Sequence, residues 1–503
     1  MRLQRHGGRV CLGVGLLALG VRAALLPVFP IPLAAVHDEF SYLLGAETFR
    51  LGRLTNPPHS MWVHFETFHE IFQPTYASKY PPGQALFLAL GWKLFGHPWY
   101  GVWLSMGVMC GALCWCLQGW LPPRYALLGG LMAVAQWGVA GYWIDSYWGG
   151  AVAAAAGALV VGAVPRLARR ATVGVAALAA LGVVGLANSR PYEGALTAGA
   201  ALVALLVGRR RFPAGIVSVA AVAAVILIGG FLAMGYYNYR VTGNPLEMPY
   251  SAYQKMYGAS PVFWMMPLDA TPVYRHEVIR DFFEDWDKPF YDRARAFAPQ
   301  VALVFLLGTL PFFLTPVSAA AALVAAVLRG SRKVRIVLAI AGVSMAGVLL
   351  ERFSLAHYFA PATGPVLLLV LLGVEYLGVR LGRAAVVIFA VVFFAGAGWG
   401  VLRNARGSTQ QGSTHRGFAV HRRDTIRWLE SQGGRHLVVV RYGATHDVHE
   451  EWVYNHADID AATVIWARDM GDDRNGELLD YYRGRHVWLL EPEGGGLERY
   501  GPR

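Results

Sequence analysis

Apolar runs of nearly membrane-spanning length recur along most of this 503-residue chain. About 20 apolar residues are needed to cross a hydrocarbon core of about 30 Å. Inside lipid, backbone N–H and C=O groups must be paired within their own segment, so such runs fold as helices. Eleven spans are predicted, at 10–29, 99–120, 125–142, 147–164, 172–188, 193–208, 213–235, 299–328, 336–350, 361–379 and 384–402. The 299–328 run contains Pro311 and Pro316 and is predicted to be a broken helix.

Short clusters of Arg and Lys separate the apolar runs and indicate the topology. Because the basic residues cluster in these loops, the net charge of +12 is typical of a membrane protein rather than of a nucleic-acid-binding surface. The positive-inside rule places the basic loops in the cytoplasm, provided that 82–96 lies along or re-enters the outer surface without crossing. These loops hold Arg124, Arg166, Arg169, Arg170, Arg209–Arg211, Arg329, Arg332, Lys333, Arg335, Arg380 and Arg383. We therefore expect a multi-pass protein of the inner (plasma) membrane; a cleaved signal peptide at the N-terminus is the less favoured alternative.

The polar signals then fall on the exoplasmic side of the membrane. Two long loops, 36–98 and 236–298, lie there, together with Asp145 and two short polar stretches, Asn188–Glu193 and Glu351–Pro361. A transport path is expected to leave ionisable residues at mid-depth in the bilayer, and few occur there. The pattern favours an active face at one membrane surface over a pore.

The tail of the chain has a different character from the apolar part. Residues 404–503 are polar and predict a small, partly parallel α/β domain on the exoplasmic side, following a transmembrane domain at 1–403. The predicted helices are Asp424–Glu430, Glu450–Asn455 and Glu477–Tyr482, and the predicted strands are Leu437–Arg441, Thr463–Ala467 and Val487–Leu490. Gly494–Gly496 is expected to be flexible. The fold class is thus mostly α and polytopic, with a small C-terminal α/β domain.

An acid pair, Asp38 and Glu39, directly follows the first span. Ionisable residues at a membrane boundary are functional candidates, and a carboxylate there can take a proton from an acceptor hydroxyl. Helical spacing from i to i+4 places Tyr42 on the same face as Asp38. The structural alternative is a pair of solvated loop acids or a helix N-cap.

A second signal is Lys79-Tyr80-Pro81-Pro82 in the same loop. The two prolines suit a helix start, so Lys79 is expected beside a helix N-terminus, where an anion such as a phosphate is favoured. An ordinary lysine that extends towards the headgroups is the alternative.

The remaining candidates lie in the later outer loops. Asp145 is a lone acid among interfacial aromatic residues, and it could orient a donor phosphate through a metal or polarise an acceptor. Arg190 and Glu193 form either an ion pair at a helix end or part of the site. Arg352, His357 and Tyr358 form a second cationic edge, and the planar guanidinium of Arg352 could bind a phosphate. The first-loop histidines His59, His64 and His69 are five residues apart, which is not the spacing of helical metal ligands.

Taken together, these residues resemble the GT-C superfamily of polytopic glycosyltransferases, especially protein O-mannosyltransferases and lipid A aminoarabinose transferases. The resemblance covers about residues 1–400. It rests on the acid pair with its following tyrosine, on the Lys-Tyr-Pro-Pro run, on Asp145, and on the basic and aromatic edge from His357 to Pro361. An arginine is usual before that edge; here the position is His357, with Arg352 slightly earlier.

The resemblance implies inverting transfer of a sugar from a polyprenyl-phosphate donor on the exoplasmic face. By position, Asp38 would be the catalytic base, Lys79 a contact to the donor phosphate, and Asp145 a secondary acid. The substrate-binding set would comprise Glu39, Tyr42, Lys79, Tyr80, Asp145, Arg190, Glu193, Arg352, His357 and Tyr358. The expected partners are the lipid-linked donor, membrane lipids and a glycan, lipid or protein acceptor, with no nucleic acid; a divalent metal ion is left open. A transporter or flippase of a lipid-linked sugar is the main alternative, and a membrane-anchored scaffold protein is a weaker one.

Overall fold

The structure is a computed structural model that describes residues 7–208, 216–268, 272–405 and 416–500. It confirms a mostly helical architecture with a small C-terminal sheet. The predicted basic loop at Arg209–Arg211 lies outside the described residues.

The first part of the chain alternates long apolar helices with one elaborate loop. In chain order its elements are α1 (Gly7–Ala24), α2 (His37–Arg50), α3 (Trp62–Phe65), β1 (Glu70–Ile71), β2 (Ala77–Ser78), α4 (Pro82–Phe95), α5 (Trp99–Trp120), α6 (Pro123–Ala133, extended by a π-helical turn, Val134–Gly138), α7 (Ala151–Arg169), α8 (Val173–Ala187) and α9 (Pro191–Gly208). Helix α4 has 14 residues and is therefore about 21 Å long, too short to cross the hydrocarbon core.

The second part contains the long loop and the later apolar helices. Its elements are α10 (Ile216–Thr242), α11 (Pro249–Tyr257), α12 (Glu277–Arg280, followed by a π-helical segment, Asp281–Asp287), α13 (Lys288–Ala296), α14 (Ala298–Phe313), α15 (Pro316–Leu328), α16 (Arg332–Val348), a 3₁₀ segment (Ala356–Ala362), α17 (Thr363–Arg380) and α18 (Arg383–Ala405). The predicted break in 299–328 is present, because α14 ends at Phe313 and α15 begins at Pro316.

Within the described residues, seven helices are long and apolar enough to span a membrane. There is an eighth if Glu277–Ala296 and Ala298–Phe313, which meet at a bend of 116°, are counted as one span. The chain is therefore a multi-pass membrane protein. The seven are α1, α5, α7, α9, α10, α17 with its preceding 3₁₀ segment, and α18. Several of the eleven predicted spans, including 172–188 and 336–350, correspond to helices shorter than 18 residues.

Close glycine contacts hold the helices that position the outer loops. A Cβ on Gly101 of α5 would lie 2.0 Å from the carbonyl oxygen of Phe87 in α4, and one on Gly157 of α7 would lie 2.1 Å from that of Pro361. Small residues permit such backbone approach between apolar helices. The second contact fixes the 3₁₀ segment that carries His357 against the helix core.

The C-terminal region contains α19 (Arg416–Ser431), β3 (His436–Val440), β4 (Val464–Arg468), α20 (Asp472–Tyr481), β5 (His486–Glu491) and β6 (Gly496–Arg499). The strand order is β4-β3-β5-β6, with β3 parallel to both neighbours and β6 antiparallel to β5. The predicted partly parallel sheet is thus present.

Two local expectations about this region are wrong. The segment Glu450–Asn455 is not helical: the buried Glu451 accepts a hydrogen bond from the N–H of Val453 at 2.7 Å and binds Arg468 at 2.7 Å. Such local side-chain bonds compete with helical pairing. Gly494–Gly496 is not simply flexible, because it forms the turn into β6, with Gly496 at φ +68°.

The C-terminal sheet region packs directly on the first loop. The Nδ1 atom of His37, at the start of α2, lies 2.7 Å from the hydroxyl oxygen of Tyr454. Arg468 donates to the carbonyl oxygen of Glu66 at 2.6 Å. The N–H of Ala457 donates to Glu47 at 2.9 Å. The sheet region therefore fixes the same helix that carries Asp38.

Candidate functional site

The two adjacent acids at the start of α2 have different surroundings. Glu39 is buried, and its carboxylate accepts hydrogen bonds from the N–H groups of Ala35 at 2.8 Å, Val36 at 3.3 Å and Tyr147 at 3.0 Å. Burial raises the pKa of Glu39 to about 7, against the opposing effect of these bonds. The Asp38 side chain remains 34% exposed. Glu39 thus holds the helix start, and Asp38 is the acid accessible to a substrate.

Aromatic and imidazole groups surround the Asp38 carboxylate. The Tyr80 hydroxyl donates a hydrogen bond to Asp38 Oδ1. Tyr42 stacks on Tyr80 with ring centroids 4.3 Å apart, so the face predicted to be shared by Asp38 and Tyr42 is the one that Tyr80 covers. The Nε2 atom of His69 lies 4.0 Å from Asp38 Oδ2.

The ammonium group of Lys79 reaches the same place from the end of the loop. Lys79 is 7% exposed, and its Nζ lies 2.8 Å from Nδ1 of His69, within hydrogen-bond distance. The ammonium also lies over three aromatic rings, those of Tyr253 at 4.7 Å, Tyr80 at 5.1 Å and Tyr250 at 5.2 Å from the ring centroids. Cation–π contacts of this kind stabilise an ammonium away from water. Asp38 and Lys79 therefore share two neighbours, Tyr80 and His69.

Burial dominates the electrostatics of Lys79. It lowers the pKa of this ammonium to about 7, and the negative charges of Asp38 and Asp287 oppose the shift. Within the described part of the chain, Lys79 has no carboxylate at ion-pair distance. A buried cation without a paired carboxylate would be stabilised by an anionic ligand.

The N-terminus of α4 offers fewer backbone donors to an anion than an ordinary helix start. Pro81 and Pro82 have no N–H groups, and the N–H of Gly83 donates to the carbonyl oxygen of Asn188 at 2.7 Å. The prolines and the bond of Gly83 thus remove three of the N–H groups that an anion at this helix start could use. Any contact of Lys79 with a phosphate must come from its side chain.

Arg190 and Glu193 lie at the start of α9, at the edge of the same cluster. Arg190 pairs with Glu193 at 3.4 Å, and its guanidinium lies 4.4 Å from the ring centroid of Tyr358. Burial raises the pKa of Tyr42, and the nearby positive charge of Arg190 opposes that shift. Arg190 therefore contacts the ring of Tyr358, and its positive charge acts on Tyr42.

The predicted phosphate contact Arg352 is already paired within the protein. It binds both carboxylate oxygens of Asp287, at 2.8 Å and 2.5 Å, and donates to the carbonyl oxygens of Ser260 and Pro261. His357 is also engaged: its Nδ1 lies 2.6 Å from the Tyr142 hydroxyl.

Asp145 lies in a different set of contacts from Asp38. It pairs with Arg22 of α1 at 3.1 Å and accepts a hydrogen bond from the N–H of Gly141 at 2.8 Å. The Arg22 side chain is 0% exposed, so Asp145 neutralises a buried guanidinium. This pairing is a structural role for the predicted secondary acid.

The three first-loop histidines do not converge on a metal. His59 lies 3.1 Å from Asp460, His64 lies 3.3 Å from the carbonyl oxygen of Arg468, and His69 binds Lys79. Across residues 7–208, 216–268, 272–405 and 416–500, no group of three or more His, Cys, Asp or Glu side chains could hold a metal ion. The three histidines therefore do not form a metal centre together.

Four neighbours of the acid and the lysine were not among the predicted site residues: His69, Tyr250, Tyr253 and Asp287. His69 was considered only as a metal ligand. The other three lie in the long loop, more than 160 residues after Lys79, and no sequence spacing connects them to it.

Comparison with solved structures identifies the fold. A crystal structure of the Archaeoglobus fulgidus oligosaccharyltransferase tethered with an acceptor peptide matches with a TM-score of 0.51 at 10% identity, covering 97% of this chain and 69% of that chain. The complex of that protein with Zn and sulfate matches with a TM-score of 0.50 at 12% identity, covering 96% and 67%. ArnT from Cupriavidus metallidurans in the apo state has a TM-score of 0.49 at 14% identity, covering 96% and 92%.

No protein-family model and no curated protein matches this chain. At 10–12% identity, the likeness to the archaeal protein concerns the fold alone. It extends over 96–97% of the chain, including the C-terminal region. The chain therefore has the GT-C fold, as the Archaeoglobus oligosaccharyltransferase does.

Proposed function

We propose that this protein is an inverting glycosyltransferase that moves a sugar from a polyprenyl-phosphate donor to an acceptor hydroxyl at the exoplasmic membrane surface. The observation that carries the proposal is the convergence of Asp38, at the start of α2, and Lys79, just before α4, on Tyr80 and His69. One group is an accessible carboxylate, and the other is a buried cation that contacts no carboxylate among the described residues. This arrangement suits a reaction in which the acceptor loses a proton to the carboxylate and the donor releases a phosphate beside the cation.

In the proposed reaction, the acceptor oxygen attacks the anomeric carbon of the donor. The carboxylate of Asp38 takes the hydroxyl proton as the new C–O bond forms. The bond between the anomeric carbon and the phosphate oxygen breaks on the opposite face of the sugar, which inverts the configuration. The leaving oxygen carries the departing electron pair and develops negative charge, which the ammonium of Lys79 stabilises. Tyr80, which contacts both groups, would keep them aligned.

The other predicted residues would have supporting roles in this reaction. Arg190 and Tyr358 border the cluster and would contact the donor beyond its phosphate. Arg352 would act by fixing Asp287 close to Lys79 rather than by binding the phosphate alone. The sheet region, which packs on α2 through Tyr454, would position the acceptor.

The fold supports this class of reaction over a scaffold role, because the archaeal neighbour is by its name an oligosaccharyltransferase. A transporter of a lipid-linked sugar would also use the cations, but it would need no base. The distinguishing experiment uses detergent-solubilised protein with a polyprenyl-phosphate sugar and a glycolipid, glycan or protein acceptor fraction. Mass spectrometry should detect a covalent product with wild type and none with Asp38→Asn. Membrane passage of an unchanged donor in vesicles, with no covalent product, would instead identify a transporter.

A further inference from the structure

The backbone at His69 adopts a conformation that side-chain-bearing residues rarely adopt. Among the described residues, His69 is the one non-glycine position with a positive φ, +64°. A left-handed conformation is unfavourable for an L-residue and persists where the surroundings fix it. Here the N–H of His69 donates to the Tyr253 hydroxyl at 2.8 Å, and its carbonyl oxygen accepts from Ser41 at 2.6 Å and from the N–H of Lys79 at 3.1 Å. Three hydrogen bonds therefore hold this backbone in place.

The side chain that this backbone presents lies between the two proposed reacting groups. While Lys79 is protonated, its ammonium can only donate, so the 2.8 Å contact then requires an unprotonated Nδ1 on His69. The neutral ring then carries its proton on Nε2, which is the atom 4.0 Å from Asp38 Oδ2. The ring is thus held at one nitrogen by the cation, and its other nitrogen lies 4.0 Å from the carboxylate, beyond hydrogen-bond distance.

Burial and the nearby positive charge of Lys79 favour the neutral form of the ring. Burial lowers the pKa of His69 well below its ordinary value, and the positive charge of Lys79 adds to the shift. The other titratable groups that face the ring are Asp38, His37, His449, Tyr80 and Tyr253. No cation other than Lys79 lies within hydrogen-bond distance of the imidazole in the described part of the chain.

We propose that His69 is a positioning residue, which sets the separation of the Lys79 ammonium from the Asp38 carboxylate and orients the latter towards the acceptor. The role rests on the proposed function, since it assigns the first group to the departing phosphate and the second to the attacking hydroxyl. His69 itself gains and loses no proton in the reaction. Misplacing a reacting group by about 1 Å can cost about a hundredfold in rate.

The left-handed backbone allows the side chain to be tested separately from the main chain. His69→Gly keeps the conformation without a steric cost and removes both ring contacts. His69→Asn also tolerates positive φ, and its amide oxygen can replace Nδ1 as the acceptor for Lys79, but no atom of it reaches Asp38. His276→Asn is the matched control, because His276 is a buried histidine whose Nε2 contacts the carbonyl oxygen of Val63 at 2.8 Å instead of the site.

The measurements are the Kd for undecaprenyl phosphate and the kcat for sugar transfer, on variants that elute as monodisperse protein. We expect His69→Asn to keep the Kd within about threefold while kcat falls about tenfold to a hundredfold. We expect His69→Gly to raise the Kd at least tenfold and to lower kcat at least tenfold. His276→Asn should keep the wild-type Kd and kcat.

A kcat within threefold of wild type in His69→Gly would show that only the backbone matters and would overturn the inference. Equal losses of Kd and kcat in His69→Asn and His69→Gly would overturn it as well, because they would indicate a general structural defect. Failure of the proposed function is a distinct result, since transfer would then survive in Asp38→Asn.

Discussion

Raising the pH from 7 to 9 should weaken the binding of a lipid phosphate, because the ammonium of Lys79 loses its charge. Burial lowers the pKa of Lys79 to about 7, so the ligand-free protein carries this ammonium below pH 7 and loses it above. The phosphate binds the charged form. Affinity is therefore fully present at low pH and declines as the pH rises through the lowered pKa.

The size of the effect follows from the fraction of charged Lys79. With a pKa of about 7, half of the protein carries the ammonium at pH 7 and roughly 1% carries it at pH 9. The apparent Kd should therefore rise about fiftyfold over these two pH units, which corresponds to about 2.3 kcal/mol. Undecaprenyl phosphate is a suitable ligand, because a phosphate monoester has its second pKa near 6 and its own charge changes little above pH 7.

The assay is a binding titration of detergent-solubilised protein at pH 7, 8 and 9 and constant ionic strength. Lys79→Arg is the control, because a guanidinium stays protonated throughout this range. Its Kd should change by less than about twofold, whatever its absolute value. A wild-type Kd that does not change with pH, or a Lys79→Arg slope equal to that of wild type, would refute the assignment of the phosphate to Lys79.

Three further variants test other parts of the account. Asp38→Asn should lower kcat by at least about 10²–10⁴-fold while undecaprenyl phosphate still binds; near-normal turnover would exclude Asp38 as the base. A Cβ on Gly83 would lie 2.5 Å from the carbonyl oxygen of Asn188, so Gly83→Ala should lower stability by about 1–3 kcal/mol in a thermal melt and weaken phosphate binding; an unchanged melt would contradict this packing. Arg352→Met should destabilise by about 3–5 kcal/mol because it leaves Asp287 unpaired, whereas Arg352→Met with Asp287→Leu should recover much of the loss; a double variant less stable than the single one would argue against the pairing.

The sequence predicted the architecture, and it singled out Asp38 and Lys79 as candidate site residues, for identifiable reasons. Apolar runs in lipid can only be helices, so their positions follow from hydropathy. Asp38 and Lys79 were identified because charged groups at membrane boundaries are rare and because a proline pair marks the start of α4. The two residues are 41 positions apart, and this spacing alone gives no distance between them. The predicted topology and the family resemblance were the reasons to place both in one site.

The pairing of the other charges could not be predicted from the sequence. Arg352 pairs with Asp287 and Asp145 with Arg22, across 65 and 123 positions respectively. A buried charge requires a partner, but the identity of that partner depends on which helices pack together. His69 was missed for a different reason: its importance lies in a left-handed backbone that three tertiary hydrogen bonds impose.

The most direct test of the central claim is an experimental structure of the Asp38→Asn variant with a bound polyprenyl-phosphate sugar. The account predicts a phosphate oxygen within about 3.2 Å of Lys79 Nζ, with the anomeric carbon facing position 38. A phosphate bound away from Lys79, with the sugar remote from position 38, would contradict it.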